Sequence, residues 1–211
     1  MKKYFGCIAV LVGIAVLATS CKKDDNKTST TTTAPPASTA GPHHITVTFD
    51  GTARNWPEIV IGSGLNECGP FFTSDGTNFN VSPCGGMGSL TSTFNVTFAN
   101  NLYTNNYYLN TNNDSLFHAV MKVGNHAFTN GTTKGVRLTF TDATGNWESD
   151  TGPQTGSLFT VTESISLPDY MGDLFHDTRF TFNCKLYNDD GSGNFILATS
   201  GSGFLRYVTA K

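Results

Sequence analysis

In this chain of 211 residues the side chains able to do chemistry are few and dispersed. Cys68 and Cys84 flank a stretch that begins Gly69-Pro70 and ends Ser82-Pro83, with Gly85-Gly86 just beyond. In an oxidising compartment two such cysteines are expected to pair. A closed loop of about 16 residues would contribute ~3 kcal/mol in the chain-entropy account of cross-linking. A metal pair is the alternative, but no third or fourth ligand stands at a spacing that zinc uses. Cys184 alternates with nothing polar on its own side: Phe180, Phe182 and Leu186 share its face. It reads as a buried, inert thiol rather than a nucleophile.

The five histidines announce no motif. His43 and His44 are adjacent, and consecutive side chains of a strand point apart. His118 and His126 lie eight residues apart, and His176 stands alone between Asp173 and Asp177. Two oxygen-rich clusters surround glycines: Asp142, Thr144, Asn146, Glu148 and Asp150, and then Asn188 to Asn194. Calcium takes such oxygens, but hairpin turns need the same residue types and explain both clusters more simply. No Gly-x-Ser-x-Gly, His-Glu-x-x-His or phosphate loop is present. No catalytic residue, metal site or cofactor is therefore assigned. Flat aromatics beside Asn and Asp suit sugars, so Trp56, Tyr107, Tyr108 and Trp147 are the candidate glycan contacts. Core packing is the competing use of each ring.

The elements that must position these groups are strands. Ile45, Val47 and Phe49 alternate with threonines, as do Phe94, Val96 and Phe98 with Asn95 and Thr97. The same period of two runs through Val136–Phe140, Leu158–Leu167 and Phe180–Leu186, and apolar residues close the chain near Tyr207. One-faced alternation of β-branched and aromatic residues is the pattern of half-buried antiparallel strands. Asp50-Gly51, Asp75-Gly76, Asn130-Gly131, Gly145-Asn146 and Asp190-Gly191 supply the turns. The expectation is an all-β, mainly antiparallel domain over residues 43–211, a β-sandwich with room for one short helix. That room is residues 116–123. Phe117, Ala119, Met121 and Val123 fit a strand face there, and Leu116, Phe117, Val120 and Met121 fit a helical one equally well.

Ahead of the domain lies an address. Lys2 and Lys3 precede an apolar run from Ile8 to Leu17, and small residues lead to Cys21. This is the order of a secretory signal peptide spanning residues 1–20. Leu17-Ala18-Thr19-Ser20-Cys21 resembles the lipobox of bacterial lipoproteins. Lys22-Lys23-Asp24-Asp25 resembles the export signal of Bacteroidetes surface lipoproteins. The resemblance implies that Cys21 becomes a multiply acylated N-terminus, carrying palmitate-like chains, on an outer-membrane protein facing the cell surface. Each buried methylene contributes ~0.8 kcal/mol, so several chains hold firmly where one does not. Residues 22–42, rich in Thr, Ser, Ala and Pro, are expected to be a disordered tether. Loss of Lys2 and Lys3 leaves eleven basic against sixteen acidic residues. That balance, with no basic cluster, argues against a nucleic-acid partner and leaves the lipid as the membrane contact.

The chain from about Gly135 to the C-terminus, through Gly135 to Val161 and Phe180 to Asn188, and more faintly Ile45 to Trp56, resembles a group of uncharacterised Bacteroidetes lipoproteins. That likeness implies a β-rich fold and an exported address, and nothing about chemistry. Asp114-Ser115-Leu116 resembles the short site at which Bacteroidetes O-glycosylate exported proteins, which would make Ser115 the acceptor; an Asp/Ser turn is the competing reading. The expected function is a lipid-anchored binding or structural module with a glycan or protein partner. The alternative is a hydrolase whose site assembles only in the fold.

Overall fold

The computed structural model describes residues 42–57, 71–74, 78–89, 91–104, 117–170 and 172–210. The chain divides into two units, Met1–Thr33 and Ala34–Lys211, and every described residue belongs to the second. Asp75-Gly76 lies outside the described residues.

Thirteen strands are described, and the alternating runs are the backbone of the fold. These are β1 (His44–Phe49), β6 (Thr93–Ala99), β9 (Gly135–Asp142), β11 (Leu158–Tyr170), β12 (Asp173–Asn188) and β13 (Phe195–Ala210). β1, β6 and β9 bury every second residue, as a one-faced pattern requires. Shorter strands fill the gaps: β2 (Thr52–Pro57), β5 (Cys84–Gly88), β8 (Gly124–His126) and β10 (Gly145–Glu148). All of these join in one ten-stranded sheet in the order β2-β1-β13-β12-β10-β9-β6-β5. β11 pairs with the first part of β12 and carries β8 on its far edge. A separate sheet contains β3 (Phe71–Ser74), β4 (Asn78–Ser82) and β7 (Asn101–Thr104).

The expected all-β, antiparallel class is the one found. Its two layers come from a single sheet bent over itself until it is nearly a barrel. β5, at one end of the order, returns to lie against β13. The approach is close because Gly85 has no side chain: a Cβ there would meet the Arg206 carbonyl oxygen at 2.9 Å and the Tyr207 ring at 3.1 Å. The enclosed core is largely aromatic, with Phe49, Trp56, Phe94 and Phe140 clustered at one end and Phe98, Phe159, Phe180 and Phe182 further along.

The ambiguous run resolves as a helix. Residues 117–119 are helical and a turn follows at 120–121. Phe117, Val120 and Met121, spaced i, i+3 and i+4, are 1, 4 and 0 % exposed. Val123, which only the strand reading would have buried, is 59 % exposed.

Candidate functional site

A β-bulge builds the site. β11 and β12 pair in register from Leu158–Asn183 to Val161–Phe180, and the register then shifts between Val161 and Glu163. The extra residue reverses which side chains face the core. Glu163 turns outward and its carboxylate accepts from Arg179 Nε at 3.2 Å. Ser164 turns inward, directly opposite Thr178. Nearby on the same inner face of β12 stands His176, 1 % exposed, and across β13 from it is Tyr207.

His176 is bonded at both ring nitrogens. Its Nε2 lies 2.9 Å from Ser164 Oγ, and its Nδ1 lies 2.7 Å from Nδ1 of His118 on the short helix. The helix buries Phe117 against the same ring edge-on, 6.4 Å between centroids. Burial first, and His118 second, hold the His176 pKa down to about 4 despite the favourable charge of Asp177. His176 is therefore neutral at pH 7, with one donor and one acceptor nitrogen. Two more polar groups share this inner face. Tyr207 Oη is buried with the Thr178 hydroxyl as its hydrogen-bonding neighbour, and neither atom has another partner among the described residues. Burial pushes the Tyr207 phenol well above its ordinary range.

The opposite face of β12 carries an ion pair. Arg206 holds Asp177 through Nε at 2.8 Å and Nη2 at 3.0 Å. His43 approaches the same carboxylate at 3.4 Å and stacks on Phe204, 5.0 Å between centroids. Burial alone would raise the Asp177 pKa, but Arg206 and then His43 bring it below its ordinary value. His44, its chain neighbour, points away and donates from Nδ1 to the Pro42 carbonyl. His126 donates to the Lys122 carbonyl at 2.8 Å, apart from the other histidines.

The residues singled out from sequence fall differently. Trp56 is no sugar platform: it is 3 % exposed, packed among Phe49, Phe94 and Phe140, and its indole donates to Ser92. The single apolar side of edge strand β2 is what carries it into the core. Trp147 is half-buried against the core, with its indole N–H on Thr144. Cys184 is buried, and burial raises its thiol pKa. Cys84 is buried, and its sulfur accepts from Thr97 Oγ1 at 3.0 Å. Cys21, Cys68, Tyr107, Tyr108 and Ser115 lie outside the described residues. In the two oxygen-rich clusters, Asp142 caps Thr144, Glu148 and Asp150 flank Arg137, and Asp190 accepts from the Ser192 amide, as turn residues do. Sequence reasoning missed the His118–His176–Ser164 group. His118 lies 58 residues before His176, and only the unexpected bulge turns Ser164, twelve residues before it on the paired strand, inward.

No family, curated protein or solved structure matches the chain.

Proposed function

We propose that this protein is a lipid-anchored, exported binding module whose ligand is a neutral glycan. One observation carries the binding part. A groove of about 430 Å³ opens along the β11, β12 and β13 strands, lined by Leu158, Thr181, Asn183, Ser200 and Ser202. Its walls offer hydroxyl, amide and apolar groups and no ionised side chain, the mixture that a sugar ring presents in return. Phe195, 46 % exposed, lies further along the same strand pair with Lys185 Nζ 5.0 Å from its ring. The N-terminal part rests on Cys21 behind an apolar run and on the Lys-Lys-Asp-Asp segment behind it. Strand β1 begins directly after the Thr/Ser/Pro stretch, which suits a domain carried on a tether. Cys68 is the proposed partner of Cys84, because Cys7 would leave with the signal peptide and Cys21 would carry lipid.

Two measurements test this reading. Metabolic labelling with a fatty-acid analogue should mark the wild type and not Cys21→Ala; label on the variant ends the lipid assignment. A neutral-oligosaccharide array should capture the protein, with binding lost in Asn183→Ala and Phe195→Ala. Equal capture of wild type and variants would remove the groove as the binding site.

A further inference from the structure

We propose that Ser164, His176 and His118 form an acyl-transfer site that hydrolyses carboxylic esters, with the Thr178 and Tyr207 hydroxyls stabilising the oxyanion. The site uses the inner face of β12, opposite the outward Thr181 and Asn183 of the groove, and does not depend on glycan binding.

The geometry meets the demands of nucleophilic catalysis in order. Ser164 Oγ is 2.9 Å from His176 Nε2, within reach for proton transfer. The other ring nitrogen of His176 is 2.7 Å from His118, which fixes the ring's orientation. A bond between two ring nitrogens needs one donor and one acceptor. When His176 Nδ1–H donates to His118, Nε2 is left as the acceptor and Ser164 donates to it. That is the tautomer in which His176 is a general base. Ser164 is half-buried while His176 is shielded from solvent. In this proposal a substrate carbonyl approaches from the partly exposed Ser164 side of the pair, and the base lies behind it.

The Thr178 and Tyr207 hydroxyls supply the independent observation. Buried polar atoms are nearly always fully bonded, and among the described residues these two hydroxyls have only each other. Thr178 faces Ser164 across one strand pair, and Tyr207 faces His176 across the other. Both hydroxyls are desolvated, and with Thr178 as the hydrogen-bonding neighbour of Tyr207 the pair keeps one O–H to donate to a developing oxyanion.

The reaction balances without a co-reactant other than water. Ser164 Oγ bonds to the carbonyl carbon as its proton passes to His176 Nε2. The tetrahedral oxyanion is held by the one O–H that the Thr178–Tyr207 pair keeps free. The carbon–oxygen bond to the alcohol breaks, and the departing oxygen takes the proton from His176. Water, deprotonated by His176, then attacks the acyl-serine. The carboxylic acid leaves and the Ser164 hydroxyl is restored. A neutral imidazole held at about 4 is a weak base, so its carbonyl partner must be reactive and carry a good leaving group. That favours esters, with their reactive carbonyl and oxygen leaving group, over amides.

The test uses the full-length protein extracted from membranes in detergent, treated with a fluorophosphonate probe and mapped by peptide mass. Ser164 should carry the adduct and Ser164→Ala should carry none. p-Nitrophenyl acetate turnover should be lost with it. Thr178→Val should lower kcat at least tenfold with KM unchanged. His118 is a positioning residue, so His118→Ala should also move the acid limb of the pH–rate profile, which a merely packed histidine would leave in place. Native wild-type protein unlabelled at Ser164, or turnover equal in Ser164→Ala, would overturn the proposal.

Discussion

Arg206 grips Asp177 through two bonds, Nε to Oδ1 at 2.8 Å and Nη2 to Oδ2 at 3.0 Å, where the carboxylate has no exposed surface. Removing one partner strands the other charge away from water. Arg206→Met should cost about 3–5 kcal/mol, read as a shift in the urea midpoint. A loss under 1 kcal/mol would show that solvent reaches the pair. The depressed Asp177 pKa contributes stability above the unfolded carboxylate value of 3.8, lost as pH falls through the lower folded value.

His176 adds a second pH dependence at higher pH. Its folded pKa of about 4 lies below the unfolded 6.5, so the unfolded chain binds more protons between them. Stability is fully present above pH 6.5 and should fall by about 3 kcal/mol as pH drops to 4. Urea unfolding at a series of pH values measures this. In His176→Asn the slope between those limits should flatten; an unchanged slope would assign it elsewhere.

The bulge of β13 makes opposite predictions at adjacent residues. Ser200 is held at φ 51°, and Ser200→Gly should stabilise by up to about 1 kcal/mol. Gly201 has no positive φ, but its Cβ would lie within the buried ring of Phe182. Gly201→Ala should destabilise by about 1–3 kcal/mol. Thermal melts of both variants decide, and shifts of one sign would contradict the account.

For the cysteines, non-reducing peptide mapping of the exported protein should recover Cys68 linked to Cys84. Cys184, buried with a raised thiol pKa, should alkylate only after unfolding. A peptide joining Cys184 to either partner would reverse both assignments.

Strand alternation made most of the sheet legible in the sequence. Ile45–Phe49, Phe94–Phe98, Val136–Phe140 and Phe180–Leu186 each bury one face, and that local pattern follows from the pleat alone. Asp50-Gly51 likewise determines its own hairpin, because both residues take positive φ, 45° and 85°, between β1 and β2. β5 escaped notice. Cys-Gly-Gly-Met-Gly looks like loop, and its glycines are strand residues only because Gly85 lies against Tyr207 and Gly86 against Asn95. The helical choice at 117–119 waited on which side chains the core would accept. Trp56 and His176 waited on the fold as well. Whether a Trp on an edge strand faces inward depends on the closing of the sheet. Whether His176 meets a serine depends on a one-residue bulge in β11 and on a helix nearly sixty residues earlier. Periodicity within a strand is local, set by bonds along the chain. Convergence between strands is not, because it is decided by register, bend and the packing of rings contributed from distant segments.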